Sequence, residues 1–171
     1  MKWKTHIAGG AVAGGVTVAA ALRSDFGLRP SPEILLPFAF GFAILGSLFP
    51  DADNRKSKAG HATGSTSTLI NCLWGHRTLF HSPILYLGLF LLLNGKIGVF
   101  SVLLFGFVSG VISHIALDLL NVKGIPLFYP LPGNFHAASI REGSIGEIAV
   151  GAIMVLLAVG LVANTVLRYV C

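Results

Sequence analysis

HRTLFHSP, at residues 76–83, is the stretch around which this sequence is organised. It places two histidines, an arginine and two hydroxyl side chains at the entrance of an apolar run. Polar side chains at the edge of a membrane segment cost free energy, which makes them functional candidates. Two similar clusters flank it along the chain, PDAD at residues 50–53 and SHIALD at residues 113–118.

The composition is that of an integral membrane protein. Hydrophobic residues make up 54% of the chain and charged residues only 11%, whereas soluble domains carry about 25% charged residues. The mean hydropathy of +0.79 agrees, and the 171 residues indicate a single domain. The net charge of +5 is spread over loops without basic-aromatic interleaving, so direct nucleic-acid binding is not expected. Cys72 and Cys171 are isolated and offer no thiolate metal site.

Five apolar stretches predict an all-α bundle of about five membrane helices, at residues 6–22, 33–49, 80–94, 97–120 and 145–169. A spanning helix needs about 20 apolar residues. The first three stretches are shorter, so four spans stay open as an alternative. Gly10 and Gly14 form a GxxxG spacing that suits close helix packing. At the third stretch, either Pro83 lies inside a helix or Ser82 caps a helix that begins at Pro83.

The positions of lysine and arginine predict the orientation in the membrane. With five spans, eight of the 12 basic residues lie on the side that holds the N-terminus. The positive-inside rule makes that side cytoplasmic. The N-terminal stretch superficially resembles a signal peptide, but we expect it to be retained as the first helix, because cleavage would remove His6.

The polar candidates alternate between helix starts and helix ends, which brings them to one face of an antiparallel bundle. His114 and Asp118 are four residues apart and therefore share a helix face. Imidazole and carboxylate groups without thiolate favour Zn²⁺, with Mn²⁺ or Fe²⁺ as alternatives. We therefore predict a site for one or two divalent ions. The ligand pool is His6, Asp51, Asp53, His76, His81, His114 and Asp118.

Each candidate also has an ordinary structural interpretation when taken alone. The aspartates of residues 50–53 fit a solvated loop, His114 fits a core histidine, and Asp118 fits a structural ion pair. Arg77 suits either a phosphate or carboxylate ligand or an anchor on the cytoplasmic side. The apolar loop at residues 124–130 either guides a lipid chain or seals the helix ends.

The three polar motifs together resemble the YdjM-like family, described as LexA-binding, inner-membrane-associated metal-dependent hydrolases. The resemblance runs from His6 through PDAD, HRTLFHS at residues 76–82 and SHIALDLL at residues 113–120 to Glu147. The sequence departs from the family at Asn54, where members often carry a histidine, and this removes one possible ligand. The resemblance implies a metal-dependent hydrolase of the bacterial inner membrane.

We expect a membrane-bound hydrolase that uses a metal-activated water. Glu147, or another carboxylate that is not a ligand, is the expected general base or orienting group, and Arg77 is expected to hold an anionic group. A site at interface depth favours an amphiphilic substrate, first a lipid phosphoester and second a peptide or acyl-amide bond. The alternatives are a non-catalytic metal-binding or ion-transport protein and a structural protein with a stabilising metal.

Overall fold

Five α-helices make up most of the part of the chain that the structure describes. A computed structural model describes residues 1–23, 32–53, 81–93, 100–129 and 131–170. The helices are α1 (Trp3–Arg23), α2 (Pro32–Leu48), α3 (Pro83–Leu93), α4 (Phe100–Leu119) and α5 (Ile145–Val170). A 3₁₀ helix (Phe49–Asp53) continues α2. Over the ranges given, the chain forms no β-strand, and two isolated bridges stabilise the loop after α4. The predicted all-α bundle is confirmed.

Three of the helices, α1, α4 and α5, are long and apolar enough to cross a membrane. The segment Leu36–Asp51 and helix α3 are apolar but shorter. Many large apolar side chains of α5 are exposed, for example Leu156 at 72%. Such a surface is unusual for a soluble protein but is expected where a helix faces lipid.

Small residues let α1, α2 and α4 approach closely. A Cβ atom at Gly106 of α4 would lie only 2.5 Å from the Ala39 carbonyl oxygen of α2. A Cβ at Gly14 of α1 would lie 2.7 Å from the Phe40 ring. Small residues at helix interfaces are typical of membrane bundles, where dispersion contacts replace the hydrophobic effect. The predicted role of the GxxxG spacing in α1 is consistent with this packing.

The start of α3 decides between the two sequence interpretations of Pro83. The helix begins at Pro83, so the proline occupies a position where its missing N–H is not needed. His81 and Ser82 precede it and are both buried. This entry holds His81 at the end of the bundle where α4 terminates.

Candidate metal centre

The structure brings five of the predicted ligands together at one end of the bundle. His6 lies in the first turns of α1, Asp51 in the 3₁₀ helix after α2, His81 just before α3, and His114 and Asp118 near the end of α4. The predicted ligand His76, the predicted anion-binding residue Arg77 and the side chain of Asp53 lie outside the described part of the chain. Their assignments stay predictions.

Asp118 lies at the centre of this cluster, and its side chain is 1% exposed. Its Oδ1 atom lies 3.4 Å from Nε2 of His6, and its Oδ2 atom lies 3.8 Å from Nε2 of His81 and 3.7 Å from Nε2 of His114. The amino group of Met1 donates a hydrogen bond of 2.9 Å to Oδ1. The carboxylate is thus surrounded by three imidazole nitrogens in a site closed to solvent.

A backbone carbonyl fixes the orientation of His114. Nδ1 of its ring lies 2.7 Å from the carbonyl oxygen of Ser47. Because a carbonyl can only accept, Nδ1 carries the proton, and the Nε2 of the neutral ring presents a lone pair. Metal-binding histidines commonly donate their other N–H to such an oxygen. The Ser47 carbonyl therefore leaves Nε2 as the atom of His114 that could bind a metal ion.

His6 packs face to face with His114, with ring centroids 3.9 Å apart and an interplanar angle of 17°. Both rings are 0% exposed. Within the described part of the chain, neither ring nitrogen of His6 nor Nε2 of His114 has a hydrogen-bond partner. Buried polar atoms in native proteins are usually paired, so such atoms need an explanation, and a metal ion is one.

The donor set fits a divalent cation. Ligands of a tetrahedral zinc ion with bonds of about 2.0–2.1 Å lie about 3.3 Å apart. The separations of 3.4–3.8 Å around Asp118 are close to this. His6, Asp51 and His114 form one possible ligand group, and His81, His114 and Asp118 form another. The single lone pair on Nε2 of His114 can serve only one ion, so the two groups are alternatives for that ring.

Glu147 has a different environment from the other candidates. Its carboxylate accepts hydrogen bonds from the main-chain amides of Lys2 and Gly143, the second at 2.6 Å, and from the Thr5 hydroxyl at 3.2 Å. Its own amide donates to the Ser144 hydroxyl at 3.3 Å. These contacts fasten the start of α1 to the start of α5. Thr5, one of the residues so held, directly precedes His6 in sequence. The predicted catalytic role of Glu147 stays a prediction.

Comparison with known proteins gives the same family that the three polar motifs indicate. The family model described as YdjM inner membrane protein matches residues 1–170. The chain belongs to the YdjM inner membrane protein family. The uncharacterized protein YvsG of Bacillus subtilis (strain 168) is 33% identical over 130 residues, which cover 76% of this chain and 74% of that relative. No solved structure matches the chain.

The YdjM of Escherichia coli (strain K12), described as an inner membrane protein, is 36% identical over 98 residues. This match covers 55% of this chain and half of the length of the relative. Membership of the YdjM family and the apolar helices together indicate a membrane protein. The side of the membrane that the cluster faces stays a prediction.

Sequence reasoning missed the Ser47 carbonyl and the capping of α5 in this YdjM family member. A carbonyl leaves no signal in the side-chain pattern, so Ser47 could not have been found. Ser144 and Glu147 had a signal, since Ser-x-x-Glu before an apolar run is the capping-box pattern. In this chain Glu147 bonds to the amide of Gly143, one residue before the cap.

Proposed function

We propose that this chain is a membrane-bound metal-dependent hydrolase that acts on an amphiphilic substrate, with a lipid phosphoester as the first candidate. The observation that carries the proposal is the buried imidazole pair of His6 and His114. Among the described residues, both ring nitrogens of His6 and Nε2 of His114 have no hydrogen-bond partner, while the Ser47 carbonyl orients the His114 ring through Nδ1. A histidine kept in this state in an apolar bundle is arranged for a ligand other than a protein group.

His81, His114 and Asp118 are the residues that would hold the ion. Two imidazoles and one carboxylate suit Zn²⁺, with Mn²⁺ or Fe²⁺ as alternatives, and three protein ligands would leave a fourth position for a water. A divalent ion in this position would polarise a phosphoryl oxygen and lower the pKa of a water towards about 7. Asp53 and His76 stay candidates for a second ion.

Asp51 is the carboxylate best placed to move a proton. It is half-buried, whereas Asp118 is closed to solvent. A carboxylate oxygen of Asp51 lies within 4.8 Å of ligand atoms of His6 and His114. A carboxylate at that distance accepts the proton of an attacking water if it is not itself a ligand. Arg77 would hold the anionic group, and Glu147 would position His6 through the start of α1.

Metal analysis tests the proposal directly. The protein is purified in detergent, loaded with zinc, and its metal content is measured by mass spectrometry together with His114→Ala and Asp118→Ala. His136→Ala is the matched control, because His136 is exposed in the loop after α4. We expect bound zinc in the wild type and in the control, and a large loss in the other two variants. Equal metal content in all four samples, or none in any, would reject the site.

Activity is tested next, with phosphatidic acid and related lipid phosphates as substrates. We expect phosphate release that requires the metal and that falls in Asp51→Ala. If metal binds without turnover of any lipid, the closed environment of the ligands favours a structural metal instead, because structural zinc sites have no open position. In that case metal removal would lower the melting temperature and change nothing else.

A further inference from the structure

A cavity of about 840 Å³ lies between α1, α3 and α4, under the loop that follows α4. This volume falls within the range of about 300–1,000 Å³ that is typical of ligand sites. Almost all of its wall is aliphatic or aromatic side chain, including Leu87, Phe90, Phe105 and Phe128. Phe128 belongs to the apolar loop for which the sequence left two roles open.

The two serine hydroxyls in the wall already donate hydrogen bonds within α4, and the tyrosine there, Tyr86, is 2% exposed. The Ser113 hydroxyl donates to the Gly110 carbonyl at 2.7 Å, and the Ser109 hydroxyl donates to the Gly106 carbonyl at 2.8 Å. Ser109 also contacts the Thr17 hydroxyl at 2.9 Å. A ligand of this cavity therefore needs no polar atoms along its length, and a hydrocarbon chain meets that requirement.

The cavity begins beside the candidate metal centre. Pro83 follows the buried pair His81 and Ser82, and Leu117 adjoins Asp118 in sequence. From Leu117 to Phe105 the wall follows about three turns of α4, roughly 18 Å at 1.5 Å per residue. Its long axis thus runs from the polar end of the bundle past the middle of this helix.

The cavity is open on its outer side. Ile84, Leu87 and Ile112 line it and are 58%, 57% and 56% exposed. Because α4 is long and apolar enough to cross a membrane and the apolar α3 packs against it, we expect these side chains to face the hydrocarbon of the bilayer rather than water. We propose that this cavity holds an acyl chain of a bilayer phospholipid, which enters sideways from the membrane and leaves its phosphate head group at the metal centre.

The identity of the head group rests on the proposed function, whereas the tail site rests on the cavity alone. Lipid tails are as apolar as leucine, so the hydrophobic effect does not favour the cavity over the bilayer. Occupancy depends instead on close packing against the wall. A side chain that fills the cavity should therefore displace the tail.

Photo-crosslinking tests this proposal in vesicles of phosphatidylcholine that contain phosphatidic acid with a diazirine in mid-chain. Labelled peptides are mapped by mass spectrometry for the wild type, Ala116→Phe and Ala152→Phe. Ala116 lines the cavity, and Ala152 is exposed on α5 outside it. We expect labelling to concentrate on α3 and α4 around Leu87 and Ile112. Ala116→Phe should lower that labelling roughly tenfold, which corresponds to about 1.4 kcal/mol, and Ala152→Phe should leave it unchanged.

Two results would overturn the tail site. One is labelling spread evenly over all lipid-facing helices, including Leu156 of α5. The other is protection of Leu87 and Ile112 by a second copy of the chain, detected as crosslinked dimers. Metal content measured on the same samples separates the two proposals. If the protein binds metal but the cavity is not labelled, only the proposal of the tail site is rejected. If the cavity is labelled but no metal is bound, only the proposal of the metal-dependent hydrolase is rejected.

Discussion

Gly110→Ala should weaken metal binding although Gly110 is not a ligand. A Cβ atom at this position would overlap the Ala43 carbonyl oxygen and would lie 2.9 Å from the Ser47 amide nitrogen. Non-bonded atoms pack at roughly 3.5 Å or more, so α2 must move away from α4 by a distance on the order of 1 Å. The carbonyl of Ser47, which accepts the bond from His114 at 2.7 Å, moves with it.

The magnitude follows from two opposing terms. Overpacking of a tight interface destabilises the fold by about 1–3 kcal/mol. Replacing a glycine inside a helix by alanine stabilises the helix by up to about 1 kcal/mol. The free energy of unfolding should fall by about 1–2 kcal/mol in net terms. Loss of an outer hydrogen bond to a metal-binding histidine usually lowers metal affinity by about 10–100-fold, and we expect that range for zinc.

Zinc titration calorimetry and thermal unfolding, both in detergent, measure the two effects. Gly41→Ala and Gly160→Ala are matched controls, because a Cβ at either glycine meets no atom of the described chain within 4 Å. Both should keep the zinc Kd and leave the Tm equal or slightly higher. If Gly110→Ala binds zinc as tightly as Gly41→Ala, the Ser47 carbonyl does not prepare His114 and the reasoning fails.

Three further predictions follow from the same contacts. Asp118→Asn keeps the shape of the side chain but removes the negative charge between the three imidazoles. It should lower zinc affinity by more than the roughly 100-fold that follows loss of a hydrogen bond to a ligand, and an unchanged zinc Kd in calorimetry would contradict this. Glu147→Gln should lower the free energy of unfolding by about 1.5 kcal/mol or more, because two main-chain amides lose a charged acceptor; the exposed Glu142→Gln is the control, and equal melting temperatures would refute it. Chelation should lower the Tm reversibly, since a ligand at 100 times its Kd stabilises by about 2.7 kcal/mol; a Tm that is indifferent to added zinc would count against the centre.

The arrangement of the site could be predicted because successive spanning helices alternate in direction. His6 begins α1, Asp51 follows α2, His81 precedes α3 and His114 lies near the end of α4, so polar residues at alternating starts and ends must share one face. The helix bounds also agreed to within about three residues, the usual uncertainty of helix ends. Apolar runs and prolines carry this information locally.

The finer geometry could not be predicted, because it depends on contacts between residues far apart in sequence. Ser47 and His114 meet only because α2 and α4 approach to backbone contact, and Gly110 gives no indication of its partner before the helices are packed. The stacking of His6 on His114 has the same origin. The sequence predicts Glu147 as a general base or orienting group, but it could not reveal the hydrogen bonds from the amides of Lys2 and Gly143, since these depend on where α1 lies against α5.

For the proposed hydrolase, the direction of the cavity relative to the candidate metal centre favours a substrate from one leaflet. A phospholipid holds its head group at the interface and its tails towards the middle of the bilayer. The cavity has the same polarity, because it starts at the polar end of α4 near Leu120 and leads to Phe105. A lipid of the nearer leaflet can therefore place its phosphate beside Asp118 without turning over, whereas a lipid of the far leaflet would have to cross the membrane first. The arrangement thus predicts that turnover in vesicles labelled in one leaflet depends on which way the protein is inserted.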